Sequence, residues 1–280
     1  MILLDYNAIS IASIMVQKLD IQENLIRHMI LNTIRMYRQK FGEEYGDMVI
    51  CSDAGGNWRK SVYPEYKANR KKGRDESSLD WNEIFRVISL VREEIKENFP
   101  YKVLHIEGCE ADDIIAQLCY NTQEFGQYEP IMIVSADKDF AQLQVLDNVK
   151  QFSPMTKKFI KEDNPRVQLM NLILSGDTSD GVPNVLSDDK CLVEERRQTP
   201  LSYKKKQLLA EDPQALGESV YRNYIRNKKV IDLTESPDRV KSEIINKFNS
   251  QSPWSNKGKV FPYLVGKRLK LLLEKVEEFI

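Results

Sequence analysis

Histidine is almost missing from this 280-residue chain: His28 and His105 are the only two. One lies in a stretch with helical spacing and the other in an apolar run. Imidazole-centred catalysis and histidine-rich metal sites are therefore disfavoured. No Gly-x-Ser-x-Gly elbow is present, which removes the usual serine hydrolase arrangement. Neither a Walker-type phosphate loop nor a Gly-x-Gly-x-x-Gly motif occurs, and Gly55-Gly56 reads as an isolated turn. The four cysteines, Cys51, Cys109, Cys119 and Cys191, fall in no Cys-x-x-Cys spacing. They read as reduced, buried thiols of an intracellular protein. No apolar run approaches the ~18–20 residues of a membrane span. The opening Met-Ile-Leu-Leu-Asp lacks a basic region, so no signal peptide is expected. A cytoplasmic protein without a membrane partner is the consequence.

Net charge is also nearly absent, at −1, although 30% of residues are charged. The balance hides segregation. Between Asn57 and Arg74 there are seven bases and one acid, Glu65. Arg196–Lys206 and Lys257–Lys270 each hold five bases and no acid. Many balancing acids stand singly after apolar runs. Such a distribution suits a protein that grips phosphates and also holds cations.

Four apolar runs read as buried strands, each followed by acid. Ile2-Leu3-Leu4 leads to Asp5, and Met48–Cys51 leads to Asp53. Val103–Ile106 leads to Glu110, Asp112 and Asp113, and Ile131–Val134 to Asp137 and Asp139. Helical spacing marks Leu25–Tyr37, Trp81–Phe99 (with Asp80 as N-cap) and Ala111–Tyr120. The expectation is an α/β domain over 1–165 with a mostly parallel sheet flanked by helices. Ligands in such sheets bind outside the carboxyl ends of the strands. Beyond 165 the spacing is helical, beginning with Val167–Leu174 and a turn-rich Gly176–Pro183. A helical second domain over 166–280 follows.

Clustered carboxylates without histidine or cysteine favour Mg²⁺ or Mn²⁺. Two such ions about 3.5–4 Å apart can hydrolyse a phosphodiester. Nine acids are candidates: Asp5, Asp53, Glu110, Asp112, Asp113, Asp137, Asp139, Asp177 and Asp180. The plain alternative for any one is a helix cap or a solvated loop acid. Recurrence after four strands disfavours it for the set. Asp112 and Asp113 point ~100° apart on a helix, so one can ligate while the other caps. Asp177 and Asp180 share a face on a helical turn.

The basic stretch interleaves aromatics with bases: Trp58-Arg59-Lys60, then Tyr63-Pro-Glu-Tyr66-Lys67, then Arg70-Lys71-Lys72. Bases neutralise phosphate and aromatics stack on unpaired nucleobases. A flexible basic arm over about 57–80, made mobile by Gly73 and the polar stretch to Ser78, is expected. A solvated basic loop is the alternative.

These residues carry a resemblance. Tyr63-Pro-Glu-Tyr-Lys-Ala-Asn-Arg70, Glu110-Ala-Asp-Asp113, Ser135-Ala-Asp-Lys-Asp-Phe140 and Gly176-Asp-Thr-Ser-Asp-Gly-Val-Pro183 resemble the structure-specific 5′-nucleases. That is the flap endonuclease and 5′-to-3′ exonuclease family, and the likeness is to its phage ribonuclease H branch. The resemblance implies a PIN-like nuclease domain and a two-metal enzyme. It would act on flapped, forked or nicked DNA and RNA–DNA duplexes, removing primers from lagging-strand fragments. It implies Asp5, Asp53, Glu110, Asp112 and Asp137 around a first metal. Asp139, Asp177 and Asp180 would hold a second through water, with Asp113 supporting. Asp112 and Asp137 would be central to catalysis. Lys67 and Arg70 would meet the scissile phosphate, with Arg59 a further candidate.

One departure stands out. Cellular relatives follow Asp-Gly-Val-Pro with a glycine-rich helical hairpin, whereas this chain reads Asn184-Val-Leu-Ser-Asp-Asp-Lys190. A divergent hairpin is expected, with duplex grip shifted to Arg196, Arg197, Lys204, Lys205 and Lys206, beside Lys60, Lys71 and Lys72 on the arm. By resemblance, a phage single-stranded DNA-binding protein and a sliding clamp are expected partners of a monomer, with Phe261–Ile280 a candidate contact whose apolar stripe reads first as core. Two other readings stay open: another metal-dependent phosphohydrolase, and a structure-specific DNA-binding protein without turnover.

Overall fold

The computed structural model describes residues 1–15, 22–77, 79–123 and 128–280. The chain forms two compact units, each discontinuous in sequence. One comprises Met1–Gly55, Asp80–Lys161 and Asp238–Ile280, and the other Gly56–Leu79 and Glu162–Pro237. A division at residue 165 groups two segments differently, the arm and the last stretch of chain.

In chain order the helices are α1 (Tyr6–Met15), α2 (Glu23–Tyr45), α3 (Arg59–Val62), α4 (Asn69–Asp75), α5 (Trp81–Asn98), α6 (Ala111–Asn121), α7 (Pro165–Ser175), α8 (Tyr203–Glu211), α9 (Glu218–Ile231), α10 (Asp238–Asn249), α11 (Val260–Gly266) and α12 (Lys270–Leu273). The strands are β1 (Ile2–Asp5), β2 (Met48–Ser52), β3 (Lys102–His105), β4 (Ile131–Val134), β5 (Val149–Ser153) and β6 (Lys158–Ile160).

The first unit is built on one six-stranded sheet of order β3-β2-β1-β4-β5-β6. Its strands are parallel except β6, which is antiparallel to β5. Every residue of β1, β2 and β4 is buried. That is why these runs are apolar throughout instead of alternating. The first four strands coincide with the apolar runs of the sequence. β5 was not expected there because Lys150 and Gln151 interrupt its apolar run, and β6 is only three residues long.

Helix α2 buries Ile26, Ile30, Ile34, Tyr37, Phe41 and Tyr45 at three- and four-residue steps, so one stripe faces the core. Helix α5 is capped by Asp80, whose side chain accepts a hydrogen bond from Glu83 N at 3.0 Å, the cap the sequence suggested. The segment from α10 to the C-terminus packs in this unit. Gln251 lies along the outer edge of β3: its Oε1 accepts from Val103 N and its Nε2 donates to Val103 O, both at 2.9 Å. Within the same unit, Arg27 on α2 meets Glu94 on α5, joined by Tyr263 and Lys267.

The second unit is helical. Tyr63, Tyr66, Ile173, Val182, Val230 and Ile231 form one core cluster, and Leu174, Val185 and Leu209 another. The basic arm belongs to this core through its tyrosines. It is partly helical, and Gly73 sits inside α4. From residue 184 to 202 the chain makes turns and no helix. The divergence from a helical hairpin is therefore visible in the backbone. Asn184 holds the turns, accepting from Leu186 N at 2.9 Å and donating to Thr199 O at 2.9 Å. No helix among the described residues is long and apolar enough to cross a membrane.

Candidate active site

The carboxyl ends of β3, β2, β1 and β4 are neighbours in the sheet, so the acids that follow them share one edge. Asp5 ends β1 and is buried; its Oδ2 accepts from Ser135 Oγ at 2.8 Å and its Oδ1 from Ala8 N at 3.2 Å. Asp53 follows β2 and its Oδ1 accepts from Ala111 N, at the start of α6, at 2.8 Å. Glu110 is the N-cap of α6, in a capping box closed by Asp113 Oδ2 accepting from Glu110 N at 3.0 Å. Asp113 is thus the capping member of the adjacent pair, 1% exposed, while Asp112 is half-buried. Asp137 follows β4 and is exposed, with Oδ1 accepting from Asp139 N at 2.9 Å.

The electrostatics follow from this crowding. Burial, with the charges of Asp53 and Asp137 nearby, pushes the Asp5 carboxyl up to about 7, against the hydrogen bonds from Ser135 and Ala8. An all-oxygen donor set whose members repel one another fits a hard divalent cation, which would relieve that repulsion.

Three supporting residues were not among the candidates read from the sequence, although Ser135 opens one of the quoted motifs. Ser135 bridges two acids, donating to Asp5 and accepting from Asp137 N at 3.1 Å. Gln151, fully buried on β5, donates through Nε2 to Ser135 O at 3.1 Å and Asp137 O at 2.6 Å. It fixes the loop that carries Asp137. Asn7 Oδ1 accepts from Ser52 Oγ at 3.0 Å and Asp53 N at 3.3 Å. A polar residue inside an apolar strand, such as Gln151, was the one available hint.

In the second unit, Asp177 and Asp180 flank a short 3-10 turn, Thr178–Asp180. Each presents a carboxylate oxygen within 4.8 Å of the other's. Asp177 accepts from Ser179 N at 2.9 Å and Ser179 Oγ at 2.6 Å. Asp180 accepts from Tyr66 OH at 3.0 Å and pairs with Arg70 and Lys67. Gly176 enters this turn at φ +71, and a Cβ there would lie 2.3 Å from Val182 O. Only glycine fits.

The comparisons with known proteins fall on the same segments. Residues 3–169 match the family model described as the 5′-3′ exonuclease N-terminal resolvase-like domain, and 163–279 match that of the T4 RNase H C-terminal domain. Ribonuclease H of Enterobacteria phage T4 is 35% identical over 99% of this chain and 95% of its own. A 5′-3′ exonuclease of Buchnera aphidicola is 31% identical, covering 56% of this chain and 53% of its own. The chain belongs to the 5′-3′ exonuclease family. Among solved structures, the phage T5 D15 protein co-crystallized with metal ions superposes with a TM-score of 0.62 at 16% identity. That match covers 89% of this chain and 98% of the other, and it supports the fold. This exonuclease-family member is accordingly a nuclease, with an acid-lined sheet edge suited to a divalent metal.

The remaining bases of this nuclease are distributed unevenly. Arg59 is 1% exposed, its Nε donates to Val230 O at 2.9 Å, and its guanidinium lies 4.7 Å from the Trp58 ring. It anchors the start of the arm to α9 and does not offer the surface base that the sequence suggested. Lys60, Arg197, Lys204 and Lys205 are exposed and Lys206 half-buried. Arg196 is half-exposed and paired with Asp188 and Glu194, both at 2.7 Å. The side chains of Lys71 and Lys72 lie outside the described residues.

Proposed function

We propose that this nuclease is a Mg²⁺-dependent 5′-to-3′ exonuclease and flap endonuclease with ribonuclease H activity. Its role is to remove RNA primers and adjoining DNA from lagging-strand fragments during phage DNA replication, in the host cytoplasm. The observation that supports it most is the gathering of acids from four adjacent strand ends on one edge, in a chain similar along nearly its whole length to T4 ribonuclease H. Asp5, Asp53, Glu110, Asp112 and Asp137 are the proposed ligands of the first ion, with Asp113 capping behind them. Candidate ligands of the second, Asp139, Asp177 and Asp180, rest on the family motifs. Mg²⁺, or Mn²⁺ in its place, supplies Lewis-acid activation of water and charge neutralisation at the phosphate when bound.

The chain's own residues orient and stabilise. Ser135 and Gln151 hold Asp5 and Asp137 in place. Lys67 and Arg70 meet the negative charge on the transferring phosphate, which grows as the reaction proceeds. Lys60, Arg197 and Lys204–Lys206 contribute sequence-independent backbone contacts. A phage single-stranded DNA-binding protein and a sliding clamp are proposed partners of a monomeric enzyme.

A labelled 5′-flap duplex and an RNA–DNA hybrid, each with Mg²⁺ or chelator, test this beside Asp137→Asn. The expected outcome is Mg²⁺-dependent release of short 5′ products from both substrates, lost in the variant. A folded protein that binds flap DNA yet cleaves neither substrate would overturn the reading.

A further inference from the structure

Lys67 and Arg70 converge on a single carboxylate of their own unit. The Arg70 guanidinium pairs with Asp180 Oδ1, and Lys67 Nζ lies 3.5 Å from Oδ2. Tyr66 OH donates to that same Oδ2 at 3.0 Å. The backbone is tied as well: Lys67 N donates to Asp180 O at 2.8 Å, with Lys67 held at φ +57, a conformation unfavourable for a side chain-bearing residue. Asn69 Nδ2 donates to Thr178 O at 3.0 Å, and Tyr63 OH to Gly181 O at 3.1 Å. The Asp180 side chain is 12% exposed, so its charge is little screened, while Arg70 is 46% exposed and reachable from solvent.

We infer that Asp180 is the positioning residue for both arm bases, and that a divalent cation competes with them for it. This rests on the nuclease reading, in which Asp180 is a metal ligand and the two bases meet phosphate. A carboxylate offers about four lone-pair sites, and three donors already occupy this one. A dication drawing on the same oxygens weakens the pairs to Lys67 and Arg70 and adds positive charge beside them. Both effects drive the bases toward another anion, and the substrate phosphate is that anion. The arm is thus kept in register without metal and made available to DNA when the cation is bound. By linkage, whatever releases the bases strengthens the cation's hold by the same factor.

Two binding measurements test this without any cleavage. In EDTA, Asp180→Asn should bind a 5′-flap duplex about three- to tenfold more tightly than the parent, within the range of single ion-pair couplings. Its salt dependence should steepen by about one unit of log–log slope, one additional phosphate contact. Asp177→Asn removes the charge of a neighbouring buried carboxylate that accepts from Ser179 N and Oγ, and should change affinity less than about twofold. Equal tightening by both variants, or none by Asp180→Asn, would overturn the inference.

Arg70→Gln keeps the test decisive should Asp180→Asn fold poorly. Its Mn²⁺ affinity, by calorimetry without DNA, should rise about threefold or more, the reciprocal of the same coupling. Unchanged or weaker Mn²⁺ binding would overturn it. Loss of Mg²⁺-dependent cleavage in the parent would count against the nuclease reading alone, because neither of these measurements reads turnover.

Discussion

Arg27 and Glu94 form a two-point ion pair between α2 and α5, Nε to Oε2 at 2.7 Å and Nη2 to Oε1 at 3.0 Å. Arg27 is 1% and Glu94 7% exposed. Tyr263 OH and Lys267 Nζ complete the Glu94 carboxylate at 2.8 and 2.5 Å. Removing one partner of such a pair strands a buried charge. Glu94→Gln should therefore cost about 3–5 kcal/mol in urea unfolding at neutral pH.

The pH dependence of that loss has a definite sign. Burial opposes the Glu94 charge, yet hydrogen bonds from Arg27, Lys267 and Tyr263 outweigh it and hold the carboxyl below its ordinary 4.5. A lowered folded-state value contributes stability that is present above the unfolded value and lost as pH falls through the folded one. The gap between parent and Glu94→Gln should be widest near neutrality and close as pH drops below about 4.5, the ordinary glutamate range. A gap that stays constant down to pH 3 would contradict this.

Asp5 gives the opposite sign. Its carboxyl is raised from 3.8 to about 7, so the metal-free fold loses stability as pH rises from 3.8 toward 7. The loss is at most about 4 kcal/mol, from three units at 1.4 kcal/mol each. Asp5→Asn should lack this decline in thermal melts with EDTA. Saturating Mg²⁺ should raise the midpoint of the parent, by ~2.7 kcal/mol of stability at a hundredfold excess over Kd.

Gln151 reaches Asp137 only through main-chain carbonyls, so its substitution separates positioning from binding. Gln151→Leu leaves Ser135 O and Asp137 O without those donors and should cost about 1–3 kcal/mol of stability. Single-turnover cleavage of flap DNA should slow by about 10–100-fold, as misplaced groups do. DNA affinity in EDTA should be unchanged. A variant that loses affinity and keeps its cleavage rate would refute the positioning role.

Two glycines make a matched contrast. Gly176→Ala forces a Cβ to 2.3 Å from Val182 O at φ +71 and should destabilise the second unit by more than about 1 kcal/mol. Gly73 lies inside α4 with nothing within 4 Å of a built Cβ. Gly73→Ala should be neutral or stabilising by up to about 1 kcal/mol, the helix preference of alanine. Differential scanning calorimetry would rank the two.

How much of this was legible beforehand depended on whether the signal was local. β1, β2 and β4 announced themselves because both faces of a parallel sheet are buried, giving unbroken apolar runs followed by an acid, and β3 did so through its buried Val103 and Leu104. β5 did not, since the buried Gln151 breaks its pattern for the sake of carbonyls on a neighbouring loop. Helix geometry alone required Asp112 and Asp113 to divide the two roles, and the capping box assigns the cap to Asp113. The fate of Arg59 did not, because a carbonyl on α9, far along the chain, decides it. Nor was the arm's attachment readable: Tyr63 and Tyr66 looked like stacking aromatics but are core residues of their unit.

Gln251 has a bearing on how the protein fails. β3 is an edge strand, and an edge with open hydrogen-bonding groups is a template for another chain. A single amide side chain, carried on the last segment of the first unit, occupies the Val103 positions of that edge. Fraying of the segment would uncover the Val103 N–H and carbonyl of this strand while the rest of the sheet stayed folded. Shelf life would then be set by how often the C-terminal segment opens, and precipitation would begin with molecules whose sheet is still intact.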